Sequence, residues 1–155
     1  MPSLTELKKF LLSANKAGYA GGESKKWIKE ADGSTTIPYQ EGDFRMQDNY
    51  FGGEPYGGRI IVFYKDEPIW IMVYYGYVAE GIDNKNIYPI LRNALKLMPE
   101  DSPLRGPQKY NEGEYTYINT WTGNADRYSG EEQILKTGEI QYKANYFGGW
   151  VDIKK

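Results

Sequence analysis

The chain has 155 residues, a formal net charge of −2, and neither cysteine nor histidine. Disulfides, thiolate nucleophiles, cysteine-ligated zinc and iron–sulfur clusters are therefore excluded, as are the commonest general base and the usual pH sensor. Acids and bases are mixed along the sequence, so no strong field gathers nucleic acid or an anionic membrane, and catalysis would have to use carboxylates, Lys, Tyr, Ser, Thr or a cofactor.

This length predicts a single domain, residues 1–155, with a core of ordinary size. The N-terminus Met1-Pro2-Ser3-Leu4-Thr5-Glu6 has no basic region followed by an apolar run. The longest apolar stretch, Pro68 to Tyr75, is too short to span a bilayer, so a cytoplasmic location without membrane contact is expected. Fifteen tyrosines, four tryptophans and eighteen glycines favour pleated sheet broken by turns and bulges.

Ser3-Leu4-Thr5-Glu6 fits a capping box, and Leu4, Leu7, Phe10, Leu11 and Ala14 recur on one helical face. A first helix is predicted over residues 3–17, stopped by Gly18. Residues 21–38 are polar and aperiodic and read as a loop pinned by Trp27 and Ile28. Phe44 to Phe51 reads as a strand. Ile60 to Tyr64 and Ile69 to Tyr77 read as a hairpin turned at Lys65-Asp66-Glu67-Pro68. Its second strand is apolar on both faces, Ile69, Ile71, Val73 and Tyr75 alternating with Trp70, Met72 and Tyr74, which predicts a central hairpin covered on both sides. Ile87, Ile90, Leu91, Ala94, Leu95 and Met98 mark a second helix over about 87–98. Pro89 restricts its start to near Asn86 to Tyr88, and Pro99 ends it. Glu100 to Gly113 reads as a surface connection, followed by strands at Glu114 to Thr122, Arg127 to Lys136 and Glu139 to Phe147. The sum is an α+β fold: a mainly antiparallel, tyrosine-rich twisted sheet with two helices.

Asn49-Tyr50-Phe51-Gly52-Gly53 and Asn145-Tyr146-Phe147-Gly148-Gly149 are identical, and Tyr74-Tyr75-Gly76 is a weaker third instance. Two of the three follow a predicted hairpin, which suggests an internal repeat. In one reading each glycine makes a bulge or corner while one tyrosine fills the core. In the other, the repeated Tyr and Asn side chains converge on a pocket and supply stacking faces and hydrogen bonds.

Phosphate-loop, dinucleotide, nucleophile-elbow and EF-hand motifs are absent, and Gly21-Gly22-Glu23-Ser24-Lys25-Lys26 reads as a loop. The pairs Asp66-Glu67 and Glu100-Asp101 fall in turns and read as solvated. Glu132 differs, because alternation puts it on the face of Ile134, where a carboxylate needs a partner or a raised pKa. Arg59 is a candidate partner, and a structural ion pair is favoured over catalysis. Trp70 reads as core, whereas Trp121 and Trp150, near strand ends, are better ligand candidates. Tyr19 either lids a cleft or makes a hydrophobic contact after the helix cap.

Tyr19-Ala20-Gly21-Gly22, Asp48-Asn49-Tyr50-Phe51-Gly52-Gly53, Pro68-Ile69-Trp70-Ile71-Met72-Val73-Tyr74-Tyr75-Gly76, Tyr128-Ser129-Gly130-Glu131-Glu132-Gln133-Ile134 and Tyr146-Phe147-Gly148-Gly149 occur in that order. Together they resemble an uncharacterised bacterial and archaeal domain family, found alone or fused behind XRE-type helix-turn-helix DNA-binding domains. The resemblance carries no assigned activity, and such fusions imply an effector-sensing or partner-binding role. Val73 and Phe147 stand where relatives are expected to carry Asn and often His, which argues against a shared catalytic site.

The leading expectation is a non-enzymatic module binding a small molecule or protein partner, without a cofactor, in an aromatic cleft lined by Tyr50, Asn49, Tyr146, Asn145, Tyr75 and Glu132. Direct nucleic-acid binding is not expected. One rival is a small enzyme using Glu132 or Asp48 as acid or base with a tyrosine as hydrogen donor. The other is a homo-oligomerisation domain built on exposed aromatics.

Overall fold

A computed structural model describes residues 1–20 and 26–154. All but Lys26 of the loop expected over Gly21 to Lys26, and part of the Tyr19-Ala20-Gly21-Gly22 motif, therefore lie outside the described residues.

Helix α1 (Leu4–Ala20) is followed by strands β1 (Ile28–Lys29), β2 (Thr35–Glu41), β3 (Phe44–Phe51), β4 (Tyr56–Tyr64) and β5 (Glu67–Val78). Helix α2 (Asn84–Leu95) then leads to β6 (Lys109–Glu112), β7 (Tyr115–Asn124), β8 (Arg127–Lys136) and β9 (Glu139–Trp150). The α+β expectation holds. Among the described residues, nine strands form one open antiparallel sheet in the order β1-β2-β3-β4-β5-β9-β8-β7-β6. Each helix thus precedes an antiparallel meander, and the two meanders join through their last strands, β5 and β9.

The predicted capping box forms: Glu6 N–H donates to Ser3 Oγ at 3.1 Å, and Ser3 N–H donates to Glu6 Oε2 at 2.7 Å. The helix then runs past Gly18 to Ala20, so that glycine does not stop it. Helix α2 starts earlier than Pro89 suggested. The Asp83 carboxylate accepts from Lys85 N–H at 3.0 Å and nucleates the helix at Asn84, leaving Pro89 inside it. That proline forfeits one helical hydrogen bond, which the buried face of Ile87, Ile90, Leu91, Ala94 and Leu95 offsets.

Beneath α1, Leu7, Phe10 and Leu11 pack with Val62, Trp70, Met72 and Tyr74. Beneath α2, Ile87, Ile90, Leu91, Ala94 and Leu95 pack with Val78, Tyr117, Ile134, Tyr142 and Ala144. Asn15 Nδ2 donates to Leu95 O at 3.1 Å and ties the helices together. Both helices cover one face, so the double covering expected for the central hairpin is not found. Strand β5 is central, but Ile71 and Val73 are half-buried and Tyr75 and Tyr77 exposed on the opposite, outer face.

Strands β1 and β2 occupy part of the expected loop. Beyond Thr36, β2 has no neighbour on its outer edge, which is where a strand tolerates a residue such as Pro38. Strand β6 pairs only with β7 and lies within the expected surface connection. The β4–β5 turn is tighter than predicted: Lys65 and Asp66 form it alone, at φ 50° and 66°, and Pro68 already pairs with Phe63.

The inner, helix-covered face alternates tyrosine with glycine. Tyr56 lies opposite Gly76 and Gly58 opposite Tyr74, while Tyr128 lies opposite Gly148 and Gly130 opposite Tyr146. Each residue of the first set precedes its counterpart in the second by the same interval in sequence. A Cβ added at Gly76 would meet the Tyr56 and Tyr142 hydroxyls at 2.7 and 2.9 Å. These glycines therefore make room for tyrosine rings lying across the strands.

Candidate functional site

Glu132 sits on β8 between Asn119 of β7 and Ala144 of β9, and it is fully buried. Its partner is Arg105 rather than Arg59, which register places on the outer face. Arg105 Nε donates to Glu132 Oε1 at 2.8 Å, and the Tyr117 hydroxyl donates to the other carboxylate oxygen. The Tyr117 oxygen accepts from Gly106 N–H at 3.1 Å, and Asn119 Nδ2 donates to Gly106 O at 2.9 Å. Asn119 Oδ1 in turn accepts from the Tyr146 hydroxyl at 2.7 Å. Three sheet side chains thus fasten the Arg105-Gly106 segment over the sheet, with every group satisfied. Burial works against the Arg105 charge, yet the adjacent Glu132 carboxylate holds its pKa well above the ordinary value. Tyr117 is raised by burial and then by the Glu132 charge.

Arg105 borders two clefts on the inner face. The first, about 560 Å³, lies between α1 and β2–β5 and is walled by Leu11, Tyr19, Tyr39, Met46, Ile60 and Met72. The second, about 660 Å³, is walled by Trp27, Tyr50, Tyr56, Tyr74 and Tyr88. Asp48, Leu95 and Arg105 line both. At this shared waist the Tyr74 hydroxyl donates to Asp48 Oδ1 at 2.5 Å. Burial, followed by the Asp48 charge, keeps Tyr74 protonated well beyond its ordinary range. Burial pushes Tyr19 up to about 12. The Tyr56 ring lies 5.9 Å from Tyr74 and 6.1 Å from Tyr88, both at steep angles, and its hydroxyl meets that of Tyr142. The Tyr88 hydroxyl donates to Gly53 O and Glu54 Oε1, both at 3.0 Å.

The six residues expected to line one site divide between the two faces. Tyr50, Tyr146 and Glu132 point inward, whereas Asn49, Asn145 and Tyr75 point outward, as strand alternation requires. Tyr50 lines the second cleft and meets Trp27 edge-on at 6.3 Å. Tyr146 and Glu132 are buried beneath the clefts as supports. Asn49 Nδ2 donates to Ser34 Oγ and Thr36 Oγ1 at 2.9 and 3.0 Å, bracing β2 against β3. Tyr75 and Asn145 are exposed, opposite each other. Trp70 is core, with Nε1 donating to Ala125 O at 2.7 Å. Trp121 and Trp150 are partly buried against the same cluster.

The expectation missed Arg105, Tyr56, Tyr74 and Tyr88 as site residues. Alternation from Trp70 and Met72 marks Tyr74 rather than Tyr75 as the inward ring. Arg105, between prolines with no periodicity, carries no comparable local signal.

An open antiparallel sheet with both helices on one face, a buried arginine–glutamate pair and a tyrosine-walled cleft defines the class of protein. Residues 48–151 match the family described as Domain of unknown function (DUF5680), and the chain belongs to that family. No curated protein and no solved structure matches the chain. Among the described residues there is no acidic cluster able to hold a metal ion, and no helix is long and apolar enough to cross a membrane.

Proposed function

We propose that this chain is a binding module that takes a small molecule into the joined clefts of its inner face. The observation that carries this reading is the waist: a buried, ion-paired arginine and an aspartate that accepts from a tyrosine border the same two cavities. Each cavity is large enough for an ordinary ligand, and a few polar groups set among apolar and aromatic walls is the usual make-up of such sites. The clefts lie between β3–β5 and both helices, so occupancy would be felt by α1 and α2 together. The repeated spacing of tyrosine and glycine also supports reading the fold as a duplicated helix-and-meander unit, of which the Asp48 half keeps the clefts.

Native mass spectrometry of freshly purified protein tests the reading, followed by a thermal-shift screen of a small-molecule library. A retained or stabilising compound should lose its effect in Leu95→Trp, which fills the waist, and keep it in Tyr75→Ala on the outer face. A screen without a single stabilising compound, or binding indifferent to Leu95→Trp in a variant that still folds, overturns it.

A second reading, self-association, rests on the outer face. Phe51, Tyr75 and Phe147 are each at least 50% exposed there. Phe51, Gly57, Tyr75 and Asn145 follow one another across four strands, with Val73 and Phe147 in the adjoining row. Contiguous apolar surface of this kind is often an interface. Sedimentation velocity over a hundredfold concentration range should reveal an oligomer that Phe147→Ser weakens; a monomer throughout overturns it.

A further inference from the structure

We infer that the outer face of the sheet takes single-stranded nucleic acid, an occupant independent of the small molecule of the inner clefts and different from the second copy considered above for this surface.

The fold sorts charges that the sequence mixes. Alternation and register turn Arg45 of β3, Arg59 of β4, Lys109 of β6, Arg127 of β8 and Lys143 of β9 to the outer face. Among the described residues, Glu131 of β8 is the one acid that a strand carries there. The chain as a whole has a formal charge of −2, so its basic side chains are concentrated on the side away from the helices. Lys143 meets Glu131 at 3.5 Å, and Arg45 meets Asp66 of the β4–β5 turn at 3.7 Å. Arg59, Lys109 and Arg127 are exposed and have no ion pair among the described residues. Such a surplus attracts a polyanion. Laid against a second copy of itself, the same face sets cations against cations, which disfavours that occupant.

An aromatic platform lies among these cations. Phe51, Tyr75, Tyr77 and Phe147 are all exposed. Tyr75 of β5 and Phe147 of β9 are diagonal neighbours on adjacent strands, because Asn145 lies opposite Tyr75 and Val73 opposite Phe147. A Cβ added at Gly57 would meet Tyr75 Cδ2 at 3.1 Å, so the Tyr75 ring leans across β4, toward Phe51 in the same row. The Tyr77 ring is 6.4 Å from that of Tyr75. Rings spread over neighbouring strands of an open sheet offer stacking faces to successive unpaired bases, whereas the bases of a duplex are already stacked on one another. Beside Phe147 a hollow of about 560 Å³ is walled by Thr120, Thr122, Ser129, Gln133 and Asn145, whose hydroxyl and amide groups suit sugar hydroxyls and base edges.

Fluorescence anisotropy tests this with labelled oligo(dT) and oligo(U) of about twelve nucleotides, within the usual site size of such surfaces, beside a DNA duplex and a poly-glutamate peptide of similar length. At least one single strand should bind at least tenfold tighter than the duplex and the peptide, and the tighter of the two names the sugar. Its affinity should fall with salt. Arg59→Ala/Arg127→Ala should reduce the slope of log affinity against log salt by about 0.7 for each cation in contact with phosphate. Tyr75→Leu/Phe147→Leu keeps an apolar surface but removes both rings, and should weaken the strand at least tenfold while thermal unfolding shows the fold intact. Absence of binding by either strand overturns the inference, as does equal binding of the duplex or the peptide, or an affinity indifferent to loss of both rings. Oligomerisation that Phe147→Ser weakens, without strand binding, would assign the face to a second copy. Strand binding lost in Leu95→Trp but kept in the outer-face variants would place the strand in the inner clefts, overturning this inference while the small-molecule reading stands.

Discussion

The ring of Tyr146 on β9 lies directly across Gly130, its cross-strand neighbour on β8, so close that the Cβ of any other residue at position 130 would overlap the Cζ and hydroxyl of that ring. Its hydroxyl reaches past β8 to Asn119, which holds Gly106 and hence the position of Arg105. A glycine in a strand interior is ordinarily a weakness, and here the ring that covers it compensates.

Gly130→Ala should therefore be destabilising out of proportion to one methyl group, by about 1–3 kcal/mol, as expected for overpacking a filled core. Gly53→Ala is the control: nothing lies within 4 Å of its added Cβ, and its stability should change little. Urea denaturation followed by tryptophan fluorescence separates the two, and equal midpoints would mean that the Tyr146 ring moves aside freely.

The buried ion pair gives a second expectation. Arg105 is 13% exposed and Glu132 1% exposed as side chains, so removing either alone strands a charge in the interior. Glu132→Leu or Arg105→Leu should each cost about 3–5 kcal/mol, whereas the double variant should cost much less than their sum. A double-mutant cycle by chemical denaturation measures this coupling. Additive losses would show that the pair is solvated and that Arg105 is held by Gly106 alone.

Much of this arrangement is written in local pattern. Hydrophobic periodicity locates both helices and most strands, because Leu7, Phe10, Leu11 and Ala14, like Ile87, Ile90, Leu91 and Ala94, repeat at helical steps. Glu132 stands out because alternation drives it into the core, and there it is. What one strand cannot tell is whether a sheet face is covered. Val73 and Tyr75 look as apolar as Met72 and Tyr74, yet only the latter pair lies under the helices. The identical pentapeptides mislead in a related way: the first ends β3, and the second lies within β9, where Tyr146 faces Tyr74. Arg105 reaches Glu132 from a proline-flanked segment, so its partnership is a long-range fact with no periodic trace.

Alkaline pH should unfold the protein sharply. Burial, the largest cause in each case, raises the pKa of Tyr56, Tyr74, Tyr117, Tyr128, Tyr142 and Tyr146 above 10. A raised folded-state pKa contributes stability that is complete below the unfolded value near 10 and is lost as pH climbs through the window above it, at about 1.4 kcal/mol per unit for each group. Stability should thus hold from neutral pH to about 9 and then collapse. Tyrosinate absorbance should rise in one cooperative step that coincides with loss of near-ultraviolet circular dichroism. Gradual titration of all the tyrosines near their ordinary pKa, with the fold intact, would contradict the packing described above.

The two tight hairpins carry removable strain. The β8–β9 turn holds Thr137 at φ 48° and Gly138 at φ 85°, and the β4–β5 turn holds Lys65 and Asp66 at φ 50° and 66°. Positive φ at both central positions matches the twist of the flanking strands, but it suits Asn-Gly far better than a β-branched threonine. Thr137 is exposed and its hydroxyl reaches only the neighbouring Lys136 carbonyl, at 2.8 Å, so little is lost on replacing it. Asp66 is also exposed, with a 3.7 Å ion pair to Arg45 of the kind that adds little in water. Thr137→Asn and Asp66→Gly should each raise stability by about 0.5–1 kcal/mol, and together shift Tm upward by a few degrees. Thr137 and its turn line neither cleft, so Thr137→Asn should leave ligand affinity unchanged. Calorimetry on the single and double variants checks the sum. A lowered Tm for Thr137→Asn would mean that the threonine hydroxyl, not the backbone conformation, governs that turn.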